Sequence, residues 1–487
     1  MRAVLRRCER EAQRAGKAAR VAAAKEDKAL LEWAKESEKG VRAKAATRIQ
    51  SVWRAIRTGG ESIALSKVHR GDTAEGECVT ASDPDFLRLV GEIGALTVEK
   101  FNRPAVRSAF DAWLHLFVPK HEVLSGADGG EWALARELTW EVFLACVRSA
   151  RRGKAVGPGG FSSELLRDAP EAVLKTIYEA MMEDVRRGVV SESWKRVVYV
   201  LLVKKPPNNP NLISERRDIA LMAQDMKLLL KMVRETCYKR IARRVLSDQV
   251  GWVAGLGAFD PGLSAANVIQ QVRELGGVLY LLYIDLATFF PMIERGVLNA
   301  AEVWHGVPGD VRELTARIFG AVDNDADGMR CQYDTAAGLS EYFRNSRGAL
   351  MGCVLSPDRA KILLNSMVMA IHLHVKGVRV WGSGGDGGDL WKQIVQLAYA
   401  DDWLGCFERG EEVKKAWALW SVWEQATGNR LGIKMELKTV LSGVCWREGV
   451  ACAPPEVVLV AADGRRVPFM SHEEAYKYLG LCRRADG

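Results

Sequence analysis

The sequence predicts an α+β or α/β body, and three observations lead there. Residues 1–58 are rich in Ala, Arg, Lys and Glu with no proline, which reads as exposed helix. The run Val197–Val203 is apolar over strand length and fits a buried strand. From residue 276 onward, short apolar strands alternate with helical stretches. With 48% hydrophobic and 27% charged residues over 487 positions, the composition excludes a disordered, collagen-like or disulfide-scaffold chain.

Residues 1–60 form a basic helical segment broken near Gly40. They hold 16 Lys/Arg against 7 Asp/Glu, a net of +9, while the rest of the chain holds 53 against 54, a net of −1. The overall +8 is therefore no sign that the globular part binds nucleic acid. Ile49, Val52, Trp53 and Ile56 recur at helical spacing as one apolar face, flanked by Arg48, Arg54 and Arg57. Such a helix suits a partner groove or an acidic surface. The stretch at 48–57 resembles the IQ motif that docks calmodulin-like proteins. Ile49, Gln50 and Arg54 match it, whereas Ala55 and Gly59 depart from it. A solvated helix with one packing stripe is the alternative.

Residues 61–149 are expected to be a linker and a helical region. Turn and cap residues dominate 59–85, and 86–150 is helical in pattern with many Trp, Phe and Leu. The main body spans 150–487. Basic and Pro/Gly-rich loops surround Val197–Val203, and 215–250 reads as a helix with Leu228, Leu229, Met232 and Val233 in its stripe. Ten scattered cysteines without a CxxC pair argue against zinc knuckles and point to reduced thiols. No stretch of 18 apolar residues exists, so no membrane span is expected. The N-terminus lacks the apolar core of a secretory signal, and Glu9 and Glu11 count against a transit peptide.

Two segments share one layout, an apolar run ending in acid. In VLYLLYIDLATFF, Asp285 follows Leu281–Ile284; in IVQLAYADDWLGCF, Asp401 and Asp402 follow Leu397–Ala400. Each apolar flank would bury a strand and leave its acids at the edge or turn. Three carboxylates brought together repel one another unless a cation sits among them. A pair of Mg²⁺ ions held this way stabilises the attacking and leaving oxygens of a phosphoryl transfer. Tyr-x-Asp-Asp is expected by chance only about 0.03 times at this composition.

With these residues in place, the chain resembles reverse transcriptases of the non-LTR retrotransposon and group II intron type. YADD at 399–402 matches the family's Y-x-D-D block, and YIDLATFFPMI at 283–293 resembles its first carboxylate block. RGALMGCVLSP at 347–357 resembles R-G-x-x-Q-G-x-x-L-S-P, and KAVGPGG at 154–160 resembles K-A-P-G-P-D-G. WKRVVYVLLVKK at 194–205 with ERRDIAL at 215–221 resembles the fingers pattern, and DQVGWVAG at 248–255 resembles Q-x-G-F-x-x-G. GIKMELKT at 432–439 and YKYLG at 476–480 resemble the last two palm blocks. The blocks keep family order from about 150 to 480.

The resemblance implies an α+β right-hand polymerase body: fingers and a palm with an antiparallel sheet, preceded by the basic helical extension, with the thumb largely absent. It implies an RNA-directed DNA polymerase of a retroelement, using dNTPs, an RNA template, a DNA primer and Mg²⁺, with Mn²⁺ as a substitute. Nuclear action follows from the same resemblance. Asp285, Asp401 and Asp402 would bind the metals, with the backbone carbonyl of Leu286. Phe290 would exclude a ribose 2′-OH, which argues against an RNA-dependent RNA polymerase. Lys204 and Arg217 would hold the triphosphate, Arg217 through its fork. Gly352 would admit the backbone close to nucleotide and template. Lys438 would donate a proton to the leaving pyrophosphate.

Several positions depart from the pattern. Met351 stands where the block usually carries Gln, which bears on nucleotide affinity or fidelity. Asp218 replaces the Pro of the R-P-I run, Pro291 follows Phe290 where many relatives have Asp, and Gly159 replaces the Asp of P-G-P-D-G. A catalytically inactive remnant, binding nucleic acid or a calmodulin-like protein, is the alternative. A calcium-loop-like run at 323–334 places Asp323, Asp325, Asp327 and Gly328 correctly. Arg330 and Asp334 break the pattern, so a polar turn between strands is expected there.

Overall fold

The computed structural model describes residues 64–486 apart from 101–102, 160–161, 205–208, 210, 321–328, 382–390, 433–437, 462 and 480. The basic segment with its IQ-like stretch at 48–57 lies outside the described residues, as do Asp323, Asp325, Asp327 and Gly328. The molecule is a mixed helix-and-sheet protein with several antiparallel sheets.

In chain order, the strands and helices that position the site begin with β1 (Arg196–Val203) and β2 (Arg216–Met222). There follow α1 (Phe259–Leu275), β3 (Val278–Asp285), β4 (Met329–Thr335) and α2 (Ser356–His374). Then come β5 (Gln396–Tyr399), β6 (Asp402–Phe407), α3 (Gly410–Thr427), β7 (Val440–Arg447) and β8 (Val450–Cys452). The central sheet runs β5-β6-β3-β7-β8 in antiparallel pairs, and Phe469–Met470 adds in parallel to β7. In a second sheet β1 lies between β2, antiparallel, and β4, parallel.

Strand β3 sits at the centre, and its sequence says why. VLYLLYI has no polar residue to place on a solvent face, as expected of a strand covered on both sides. On one face Tyr280, Leu282 and Ile284 join the large core with Trp417, Trp420 and Trp423 of α3 and with α2. On the other, Leu279, Leu281 and Tyr283 pack against Val268, Ile269 and Val272 of α1 and against Met470 and Tyr478. The three tryptophans of α3 recur at helical spacing on its buried face, and the Trp423 indole donates to Ser366 Oγ at 2.9 Å.

Helices at Phe86–Lys100, Arg107–Phe117 and Trp140–Arg148 agree with the helical pattern read in 86–150. Two expectations change. Residues 64–85 are not a simple linker: Leu65, Val68 and Val79 are buried, around a short hairpin pairing Lys67–His69 with Cys78–Thr80. Asp72 accepts from the backbone amides of Ile213 and Ser214, tying this hairpin to the second sheet. Nor is 215–250 one helix. Arg216–Met222 is strand β2, and the helix begins only at Gln224, with Leu228, Leu229, Met232 and Val233 buried as read. The side chains of Arg216, Ala220 and Met222 alternate inward, and that period of two favours pairing with β1. Downstream of residue 328, the expected strands are present at Met329–Thr335 and Phe343–Asn345.

The eight cysteines whose side chains are described are unbridged. Among the described residues, no helix is long and apolar enough to cross a membrane.

Trp423→Ala empties the joint between α2, α3 and β3. It is expected to lower the unfolding free energy by about 3–5 kcal/mol. Urea unfolding of the full chain measures this, and a loss below about 1 kcal/mol would contradict the packing described.

Candidate functional site

The register of the central sheet brings the two acidic segments together. Asp402 lies directly opposite Asp285 across the β6–β3 ladder, one residue beyond the Trp403–Ile284 pair. Both carboxylates emerge on the face shared by Tyr283 and Leu404, at the end of the sheet. Asp401 occupies the two-residue turn between β5 and β6, because Tyr399 pairs with Asp402 and leaves only Ala400 and Asp401 to reverse the chain. Ala400 takes the left-handed φ of +59°.

Asp285 is fixed from a third direction. Its amide donates to Thr439 Oγ1 at 3.2 Å, and its carbonyl accepts from Gly432 N at 2.7 Å. A Cβ on Gly432 would stand 2.4 Å from Asp285 Oδ2, so glycine lets the chain pass close to the carboxylate there.

These acids disfavour one another's charge. Burial pushes the Asp402 carboxyl up to about 7, and the charges of Asp401 and Asp285 add to it. Burial also raises Asp401, with Asp285 adding and Arg217 and Lys438 opposing. Lys438 Nζ stands 3.8 Å from Asp285 Oδ2, a long and half-exposed pair of little worth by itself. Among the described residues, no three Asp, Glu, His or Cys side chains form a ready-made metal-binding group. The donor set is nevertheless all carboxylate oxygen, the chemistry a hard divalent cation takes, and its members penalise one another's charge.

The second sheet supplies the cations. Arg217 on β2 is exposed and near enough to lower Asp401, while Lys204, at the end of β1, donates to the Ser214 carbonyl at 3.4 Å. Burial lowers the Lys204 pKa, Asp218 opposes that shift, and Arg217 and Lys438 add to it, so the three cations share one neighbourhood. The segment Arg347–Gly352 holds this sheet to the central one. Met351 O accepts from Ala220 N at 2.7 Å, and a Cβ on Gly352 would lie 2.8 Å from Ala220 O. Gly352 also has φ +102°, a second reason for glycine. At the segment's other end, Ala349 N donates to Phe290 O at 2.9 Å.

Phe290 is part-buried, with Trp252 and Phe289 rings edge-on at 5.7 Å each. Leu286 buries its side chain in the large core. The ten sequence-derived candidates thus lie at the acidic end of the central sheet, in the turn of chain that follows β3, at β1 and β2, or in the segment 347–352. Residues 205–208 beside Lys204 lie outside the described residues.

Three of the positions that depart from the resembled blocks meet in space. Asp218, Pro291 and Met351 line the same cavity of about 40 Å³, with Tyr199, Tyr333 and Asn345. The alternation of β2 turns Asp218 inward while Arg217 faces out. Burial pushes the Asp218 carboxyl up to about 6, against the pull of Lys204. Sequence reading missed the supports behind the acids. Thr439 and Gly432 stood in the stretch GIKMELKT, and Gln249 and Gly251 in DQVGWVAG, without an assigned role. No family model matches the chain.

Because Asp218 binds its proton more tightly folded than unfolded, the stability it allows is complete below about pH 4 and is lost as pH rises through about 6. Asp218→Asn is therefore expected to stabilise the chain by about 1–2 kcal/mol at pH 8, discounted for residual exposure, and by little at pH 4. Denaturant unfolding at the two pH values checks this. Destabilisation at pH 8 would show that the carboxylate is instead satisfied in the folded state.

Proposed function

We propose that the chain is an RNA-directed DNA polymerase of the retroelement reverse transcriptase type. The observation that carries this reading is the cross-strand pairing of Asp285 with Asp402, with Asp401 in the adjoining turn. On this reading the central sheet with α2 and α3 is the palm, and the sheet of β1, β2 and β4 belongs to the fingers.

Asp285, Asp401 and Asp402, with the Leu286 carbonyl, would hold Mg²⁺ or Mn²⁺. Bound there, the metal supplies a lowered pKa for the primer 3′-OH and charge stabilisation of the transferring phosphoryl group. The chain's own groups do the rest. Arg217 and Lys204 bind the triphosphate oxygens, the guanidinium through two parallel hydrogen bonds. Lys438 holds its proton on Nζ beside Asp285, where it can pass to the leaving pyrophosphate oxygen. Phe290 excludes a ribose 2′-OH by bulk and offers it no hydrogen bond. Met351 contributes contact without a polar group, so base selection rests on template pairing more than on that side chain. RNA template and DNA primer bind to a body near neutral overall, through locally placed cations.

The alternative is a non-catalytic remnant that binds nucleic acid or a calmodulin-like protein.

Primer extension on poly(rA)/oligo(dT) with dTTP and Mg²⁺ separates the two. The intact chain is expected to extend, and the double change Asp401→Asn, Asp402→Asn to reduce extension by roughly 10³-fold or more. Equal activity in the double variant would end the polymerase reading; no extension by the intact chain would favour the remnant. Phe290→Val is expected to raise the ratio of ribonucleotide to deoxynucleotide incorporation by about 10-fold or more. An unchanged ratio in competition assays would remove Phe290 from the gate.

A further inference from the structure

The turn that carries Asp401 is held by a residue from outside its hairpin. Residues Asp248–Val250 run parallel to β5, with Ala398 N donating to Asp248 O at 3.0 Å and Val250 N donating to Ala398 O at 2.9 Å. From this added strand Gln249, only 1% exposed, reaches past the end of β5. Its Oε1 accepts from Ala400 N at 2.8 Å and from Gly251 N at 3.0 Å, and its Nε2 donates to Ala400 O at 3.0 Å. One carboxamide thus answers both backbone polar groups of Ala400. The reverse amide orientation would set donors against two N–H groups, so the chemistry fixes the rotamer.

The clamp acts on a strained residue. Ala400 at φ +59° is in a region that costs a residue with a Cβ about 1–2 kcal/mol. Gly251 closes on it from the same side: a Cβ there would lie 2.2 Å from Ala400 N and 2.9 Å from Ala400 Cα. The clamp is itself braced, since Asp248 accepts from Gln396 Nε2 at 3.1 Å, and Gln396 Oε1 accepts from the Trp403 indole at 2.8 Å.

The three acids are therefore fixed by different means. Asp285 and Asp402 are set by the β3–β6 ladder and do not depend on the turn. Asp401 has no ladder partner, and its direction follows from the dihedrals of the residue before it. We propose that Gln249 is a positioning residue that holds the Ala400 turn and so aims the Asp401 carboxylate at the site formed by Asp285 and Asp402. It thereby sets the site's affinity for divalent cations. This rests on the reading of those acids as a cation site. It also gives Gln249 and Gly251 one shared task at their spacing of two.

The test uses the full chain and Mn²⁺ alone as probe, read by electron paramagnetic resonance titration, together with amide exchange over 396–405 and Mg²⁺ titration of primer extension. Q249M keeps the size and removes all three hydrogen bonds. It is expected to expose the Ala400 amide to exchange, weaken Mn²⁺ binding by about 10-fold or more, and raise the half-saturating Mg²⁺ with the dNTP KM at saturating Mg²⁺ unchanged. Q249E keeps the acceptor for both amides but cannot donate to Ala400 O, and is expected to recover part of the cation affinity. It also decides the matter if Q249M does not fold. Wild-type Mn²⁺ affinity in both variants would overturn the proposal, as would a lowered thermal midpoint with cation affinity unchanged. If the intact chain binds no Mn²⁺, the cation-site reading falls, and this proposal with it. Binding in the intact chain that Q249M matches removes this proposal alone.

Discussion

The register between β3 and β6 is the constraint on which the site depends. Side chains alternate along a strand, so a slip of one residue would turn Asp285 to the opposite face from Asp402. The register cannot slip cheaply, because β3 is buried on both faces. Tyr280, Leu282 and Ile284 belong to one core, and Leu279, Leu281 and Tyr283 to another. A shift would exchange the two sets and misfit both. Beta-strand β7 pins the same strand from the other side, where Val440 pairs with Tyr283 and Thr439 takes the Asp285 amide. The polar end of the sheet is thus positioned by apolar residues that have no chemistry of their own.

That arrangement has an electrostatic cost, seen in the raised Asp401 and Asp402 carboxyls. The compensating cations do not come from the same sheet, Lys438 excepted. Arg217 and Lys204 arrive on β1 and β2, and the segment 347–352 determines how close they come. Its Gly352 end lies on Ala220, three residues from Arg217, and its Ala349 end bonds Phe290, five residues from Asp285. A larger residue at 352 would move the cations relative to the acids. This is a physical reason for glycine at a position the sequence marked only by its block.

What could be read in the sequence follows from how local each cause is. Strands β3 and β5–β6 were legible because continuous apolar runs ending in acid are a local pattern, and the acids at their ends came with them. Strand β2 was misread as helix because its pairing with β1 decides its period, and ERRDIALM does not declare that on its own. Residues 64–85 looked like linker because Gly, Ser and Asp dominate, while the three residues that matter, Leu65, Val68 and Val79, are buried by distant partners. Arg217, Lys204 and Lys438 were legible only through the order of blocks; nothing in their own flanks separates them from surface cations. Gln249 stood in the quoted stretch DQVGWVAG but its role could not be read there, since its partner Ala400 lies 151 positions away and is reached through backbone atoms.

The uneven charge of the chain acquires a meaning at this site. The body outside residues 1–60 is close to neutral, at −1. Within it the site sets the carboxyls of Asp285, Asp401 and Asp402 against the three cations of Lys204, Arg217 and Lys438. On the polymerase reading, a polyanionic triphosphate approaching this mixed cluster gains at Arg217 and Lys204 but meets repulsion at the ionised acids, in a setting desolvated enough to raise Asp402. On the polymerase reading, divalent cations reverse that sign. They cancel the acids and leave Lys204 and Arg217 in excess, so nucleotide binding follows metal binding. The order of binding would then be set by charge balance among six side chains, and the direction of Asp401 decides how completely the acids are cancelled.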